Sequence, residues 1–523
     1  MSSIPLEKYP KLPPLFLDLA RGRSTLYPDP PVVDAAVARG RELLERREAP
    51  RLPASAFRYR VPAGRAAAEA LASGRAVAVI AGHQIGLFTG PLFTLVKALD
   101  AVAFARELSR RGVPAAPVFW ALTDDHDLEE IAKTAKPGPD GPERLVLEGA
   151  DRSNRAPVGT LRIPAEIGDA VEAFRADAPG PEALEIVEGF ARRYAPGELY
   201  REAFVETMFD LLEEDGLLFV DPLGPEVSQA ARRFFLAAAE RRDEVAQVLR
   251  RGAEAVERAG HSPPVPHRSD LFPFFTIEDG IRRRVQVEEI DDAAKRVGAG
   301  RAAVSADVLT RPVLKSLVLP AALSVLGPSE IAYHAQSLPL FPLFDAPRPV
   351  LTPRTLLVLR GPAERRAQQA LGVPDEDLLT PGAAKAVAEV PQADRVAEVA
   401  LRLEKELSSL APEVSEVDPT LAGSLETARR KAAYQLEQLA LRIRTAAERK
   451  DEVALQRRKR LETMILPGGD AAERVYPSLV FLIAWGKGVL EALRSAAGRG
   501  AGDAAIVDAE TAAGAGVRKT SAG

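Results

Sequence analysis

The chain contains no cysteine. Disulfides are therefore excluded, and so is any zinc site built on thiolates. An excess of one charge is lacking too. The 69 Lys and Arg residues stand against 74 Asp and Glu, leaving a net charge of -5 and a pI near 5.8. So small an imbalance gives no general attraction to nucleic acid. No apolar run approaches the ~20 residues that a helix needs to cross a bilayer. The N-terminal MSSIPLEKYPKLPPLFLDL has no apolar signal core. The expectation is a cytoplasmic protein with no membrane partner. The phosphate-loop signature GxxxxGK[ST] is also missing, because Gly486-Lys487 is followed by Gly488. What is present, 523 residues with 46% apolar and 27% charged side chains, reads as a globular chain with room for two to four domains.

The chain is organised around residues 76–131. Ala76 to Ala81 is an uncharged run rich in Val and Ile, as expected of a strand buried on both faces of a parallel sheet. It ends in Gly82-His83-Gln84-Ile85-Gly86-Leu87-Phe88-Thr89-Gly90-Pro91. From there to Arg111 the apolar positions Leu95, Leu99, Val102, Ala105 and Leu108 step by three or four, which predicts a helix stopped by Gly112. Pro117 to Leu122 reads as a second buried strand, running into Thr123-Asp124-Asp125-His126-Asp127. The unusual residues thus all follow the C-terminal ends of strands, where ligands bind in open α/β sheets. Gly82, Gly86 and Gly90, spaced by four, could let backbone approach a ligand, with the next helix offering N–H groups to an anion; a plain tight turn is the alternative. Grouped carboxylates call for a cation, a donor or a proton. Asp127 has a simpler reading as a helix N-cap, with Glu130 three residues on. Magnesium is a possible occupant of the acidic group, but no metal ligand set is specified by the spacing.

These stretches, GHQIGLFTGPLFT and VFWALTDDHDLEEI, resemble the signature of the bacillithiol biosynthesis cysteine-adding family, BshC. The family shows GQQ-x-G-L-x-x-GPLYT and VFW…EDHDFxEI turns. Gly327-Pro328-Ser329-Glu330-Ile331-Ala332-Tyr333 is similar to its GPGEIAYW. Weaker echoes are Leu271 to Phe275, Glu278-Asp279-Gly280, Thr352-Pro353-Arg354 and Glu473-Arg474-Val475-Tyr476. The matches keep the family's order from about residue 76 to about 492. One departure is His83, where the family usually has Gln.

The remaining chain is read more coarsely. Residues 137–165 and 261–310 are expected insertions in a core running from 1 to 390. Within the second, Asp279-Gly280 between apolar runs predicts a hairpin. Val350-Leu351 is a candidate last strand before Thr352-Pro353-Arg354, and Arg348 and Arg354, on either side of it, are candidate anion contacts. Residues 391–465 are rich in Ala, Leu, Glu, Lys and Arg. Leu421, Leu425, Ala428, Ala432, Leu436, Leu439 and Ile443 step as a coiled-coil seam does, predicting an antiparallel helical hairpin. Residues 466–495 should return as helix to the core, and 496–523, rich in Ala and Gly, should be a disordered tail.

The fold expected is therefore α/β, a Rossmann-like parallel sheet with insertions, plus an α-helical coiled coil. The resemblance implies a ligase that joins cysteine to the amine of glucosaminyl malate, and a homodimer formed through the coiled coil. Amide formation in water requires activation, for which ATP, with or without Mg2+, is the expected co-reactant. Asp125, His126 and Asp127 are the expected catalytic groups. Gly82, His83, Gln84, Gly86, Gly90, Asp124, Gly327, Glu330, Tyr333 and Arg354 are the expected binding groups. Two other classes stay open: a nucleotidyltransferase-like enzyme, since His83 in a Gly-rich turn is similar to an HxGH-type turn, and a non-catalytic coiled-coil scaffold.

Overall fold

A computed structural model describes residues 2–46, 52–148, 155–266, 268–383, 390–448 and 452–509. At its centre lies a six-stranded sheet. From one edge to the other the strands are Val350–Pro353, Ala321–Leu326, Val77–His83, Ala115–Ala121, Leu218–Val220 and Phe57–Arg58. The first five are mutually parallel, and only Phe57–Arg58 runs antiparallel. The two predicted core strands are neighbours, with Val77 opposite Ala115 and His83 opposite Ala121.

The uninterrupted apolar character of these strands follows from burial on both faces. Val77, Val79, Ala81, Phe119 and Ala121 pack into one core with the helix Leu92–Arg110. Ala78, Ile80, Ala116, Val118 and Trp120 pack into another, against Pro225–Glu240 and Arg311–Val318. Period-two alternation sends successive side chains to opposite sides. The chain advances from Val77–His83 to Ala115–Ala121 in one direction, and later builds Ala321–Leu326 and Val350–Pro353 in the other. The order therefore reverses beside Val77–His83, which opens a crevice there at the strands' C-terminal ends.

Two insertions interrupt the core, and the second borders that crevice. Lys133–Gly138 and Gly141–Val146 form a hairpin. Leu271–Glu278, Ile281–Gln286 and Ala303–Ala306 form an antiparallel sheet with Leu271–Glu278 in the middle. Its turn is the predicted Asp279-Gly280, both with positive φ (50° and 76°), the conformation of a two-residue hairpin loop with the right twist.

Pro391–Ser409 packs along Ala422–Glu448 as the helical hairpin expected, and Glu452–Met464 brings the chain back. Ala472–Val475, Ser478–Trp485 and Gly488–Ala496 then pack on the core. The expected disordered tail is corrected over its described part. Ala504–Asp508 is a buried strand that pairs with Leu357–Arg360 on one side and Ser3–Ile4 on the other. Its β-branched Ile506 and Val507 face apolar cores, which outweighs the Ala/Gly composition around them. Residues 510–523 of that predicted tail lie outside the described residues. Among the described residues, no helix is long and apolar enough to cross a membrane.

Candidate active site

A cavity of about 430 Å³ lies at the reversal point of the sheet. Four strand ends feed it: His83 and Gln84 from the first, Asp125 and His126 beyond the second, Gly327 and Glu330 beyond Ala321–Leu326, and Arg354 beyond Val350–Pro353. The antiparallel insertion supplies Arg282 and Arg284, and the C-terminal segment supplies Arg474. Residues as far apart in sequence as His83 and Arg354 thus converge because each lies at or beyond a strand that ends at the same edge.

The acidic turn is held by arginines. The Arg282 guanidinium is 2% exposed and stacks over the Phe275 ring at 3.5 Å. Its Nη1 donates to Asp125 Oδ1 at 3.3 Å and to Nδ1 of His126, while Nε donates to Ser305 Oγ at 3.1 Å. Arg311 approaches the other Asp125 oxygen at 3.7 Å. Burial raises the Asp125 carboxyl, but Arg311 and Arg282 outweigh it and hold the group below the usual carboxylate range. Burial and the Arg282 charge push the His126 ring down. Because guanidinium only donates, His126 Nδ1 is the acceptor, and the neutral ring carries its proton on Nε2.

On the opposite wall, Lys97 from the helix Leu92–Arg110 is 1% exposed. Its ammonium donates to the Gly82 carbonyl at 2.8 Å and pairs with Glu330. Glu330 also accepts the Gly327 N–H at 2.5 Å, closing the first turn of Pro328–Ser337. Burial, then Lys97 and Arg354, push His83 far below its ordinary value, so its ring is neutral; it rests on Phe93 with centroids 4.8 Å apart. Tyr333 lines the same wall.

Some expected site residues have other work. Asp127 caps Leu128–Ile131 by accepting from the Glu130 N–H at 3.1 Å. Asp124 is buried and accepts from Ser305 Oγ at 2.7 Å. Gly82, Gly86 and Gly90 do not line the cavity. A Cβ on Gly82 would lie 2.6 Å from the Trp120 carbonyl oxygen, so glycine is needed for strand contact. Gly90 has φ 67° and shapes the turn. At the start of the following helix two N–H groups are already taken, that of Leu92 by the Tyr476 carbonyl and that of Thr94 by that of Pro91. The carboxylates of Asp124, Asp125 and Asp127 are directed to different protein donors. Among the described residues, no three acidic or histidine side chains converge as a metal site.

Sequence reasoning missed Lys97, Arg282, Arg284, Arg311, Glu473 and Arg474. Two signals were available: a lysine inside the apolar run Leu95-Val96-Lys97-Ala98-Leu99, and arginines at alternate positions of the strand Ile281-Arg282-Arg283-Arg284.

Comparison with known proteins matches residues 54–355 to the bacillithiol biosynthesis BshC N-terminal Rossmann-like domain and 367–508 to the BshC C-terminal coiled-coil domain. The chain belongs to the BshC family. BshC of Koribacter versatilis (strain Ellin345), named as a candidate cysteine ligase, is 29% identical over 443 residues, 81% of this chain and 82% of the relative. BshC of Solibacter usitatus (strain Ellin6076), named likewise, is 30% identical over 428 residues, covering 79% and 80%. Within the BshC architecture most of the crevice described here belongs to the Rossmann-like domain, while Arg474 reaches it from the coiled-coil domain.

Proposed function

We propose that the chain is a ligase that joins the carboxylate of cysteine to the amine of glucosaminyl malate, forming an amide in bacillithiol biosynthesis. One observation carries this reading. Lys97, Arg282, Arg284, Arg311, Arg354 and Arg474 line the crevice against only Asp125, Glu130, Asp307 and Glu330. Such a wall suits substrates that carry carboxylates, as malate with two and cysteine with one both do. The names of the relatives point to the same chemistry.

ATP is the expected co-reactant, and it would supply the leaving group that makes a carboxylate reactive toward an amine. Its phosphates would fall to the side chains of Arg282, Arg284 and Arg311, which line the crevice while Gly82, Gly86 and Gly90 do not. Asp125 holds two of these guanidinium groups in place, and Lys97 with Glu330 fixes the far wall. Low water access around such charges strengthens their pull on developing negative charge.

The test is to incubate the protein with cysteine, glucosaminyl malate and ATP and to search for the amide by mass spectrometry. The reading expects its mass with the wild-type chain, and a loss of roughly a hundredfold in the Arg311→Ala protein, the range for removing one preorganised electrostatic group. A wild-type reaction with no amide sinks the reading.

A further inference from the structure

An ammonium must lose a proton before its nitrogen can attack carbon. Two of the three groups expected to be catalytic are poorly placed to take it. Asp125 is committed to Arg282 and Arg311, which stabilise its anion and make it a weak proton acceptor. His126 has its unprotonated Nδ1 occupied by Arg282.

We propose that Glu130 is the base that takes the proton from the attacking amine, a role that rests on the ligase reading above. Glu130 lies on the short helix Leu128–Ile131, and its side chain lines the crevice on the Gln84 side. Gln84 Nε2 donates to its Oε2 at 2.8 Å. Among the described residues no cation lies in ion-pair contact with it, unlike Asp125, Asp307 and Glu330, the other carboxylates of the crevice. The charges that act on it are Asp125 and Asp127 from its own turn, Lys133 from Lys133–Gly138 and Lys97 from Leu92–Arg110. Glu130 is solvent-exposed as a residue, yet partial desolvation of its carboxyl at the crevice wall, then the repulsion of Asp127 and Asp125, push it up to about 7 against the pull of the two lysines. A base is most effective when it titrates near the working pH.

The step balances as follows. The substrate ammonium gives one proton to the Glu130 carboxylate, leaving a neutral amine and a carboxylic acid. The nitrogen lone pair forms the C–N bond at the carbonyl carbon of the activated cysteine carboxylate. The C–O bond to the phosphate-bearing leaving group breaks with its electron pair, and the second nitrogen proton departs with that group. No electron is gained or lost overall, and the co-reactant is the nucleoside triphosphate already named.

The experiment compares two nucleophiles in wild-type and Glu130→Gln proteins, with cysteine and ATP present in both. Glucosaminyl malate arrives as an ammonium and needs a base. Hydroxylamine is unprotonated at neutral pH and does not. Glu130→Gln should lose a hundredfold or more in amide formation, the upper range for a proton-transfer group, while forming the cysteine hydroxamate at near wild-type rate. The acidic limb of the wild-type kcat profile near pH 7 should vanish in the variant. An unchanged melting temperature verifies folding. Amide formation at wild-type rate in Glu130→Gln would overturn the base role while leaving the ligase reading intact. Equal loss of amide and hydroxamate would also overturn it, placing Glu130 in binding or activation. Wild-type protein that made neither product would overturn the ligase reading, and this role with it.

Discussion

Arg354 Nη1 lies 2.7 Å from the Glu473 carboxylate, with the side chains 1% and 0% exposed. The pair joins the crevice to the C-terminal segment across 119 residues of sequence. Tyr9 adds its hydroxyl to the same carboxylate, so the N-terminal segment is tied in as well. Arg354 in turn rests over the Phe93 ring at 4.8 Å. Removing one partner of a buried pair leaves the other charge uncompensated, at about 3–5 kcal/mol. Glu473→Ala should therefore lower the unfolding free energy by roughly that amount in a denaturant titration. Tyr9→Phe, which removes one hydrogen bond to a charged group, should cost less, about 1.5–3 kcal/mol. A Glu473→Ala protein as stable as wild type would refute the anchoring.

The helix Pro328–Ser337 carries a second buried group with a clear pH signature. Burial, then the charges of Lys315 and Lys97, push His334 down to about 3. In the unfolded chain a histidine titrates near ~6.5. Between these values the unfolded state binds a proton that the native state refuses. The contribution of neutral His334 is thus fully present above the unfolded value and is lost as pH falls toward the folded one. The stability difference between wild type and His334→Phe should shrink by ~1.4 kcal/mol per pH unit from about pH 6 to pH 4. A difference independent of pH would contradict the burial of an uncharged ring.

His83 lines the crevice, and burial with the charges of Lys97 and Arg354 holds its pKa far enough below the ordinary value to keep the ring neutral through the physiological range. A neutral ring has no charge to lose. Accordingly, His83→Gln should leave the pH dependence of ligation unchanged, whatever it does to KM. Disappearance of a limb from the kcat profile in His83→Gln would show that the ring titrates in the working range.

Much of the crevice was legible in sequence because its landmarks follow strands that are apolar throughout. Ala76 to Ala81 and Pro117 to Leu122 could be paired, and Asp279-Gly280 could be read as a hairpin, from local chemistry alone. The cationic wall was not legible in the same way. Lys97 looks like a polar interruption of a helix, and Arg282 and Arg311 look like surface charges until tertiary packing turns them onto Asp125. The Gly-rich turn was misleading for a related reason. Whether an N–H is free depends on what covers the helix start, and the Tyr476 carbonyl that covers Leu92 lies nearly four hundred residues on. The tail strand Ala504–Asp508 escaped notice because its apolar run is short and set among Gly and Ala.

The helical hairpin leaves large apolar side chains in solvent. Leu401 is 63% exposed and Leu439 45%, with Tyr434 at 57%. Surfaces of this kind on paired helices are suited to a second copy. Light scattering should give a dimer for the wild-type chain. The double variant Leu401→Glu and Leu439→Glu should give a monomer with little change in melting temperature. A monomeric wild-type chain would contradict assembly through this arm.

The most direct test of the account follows the oxygen atoms of cysteine. Cysteine carrying heavy oxygen in its carboxylate is incubated with the wild-type chain, glucosaminyl malate and ATP, and both products are weighed by mass spectrometry. The account predicts an amide that keeps one labelled oxygen and a phosphate-bearing product that gains the other. An absence of amide, or an amide formed while the phosphate-bearing product stays unlabelled, would contradict it.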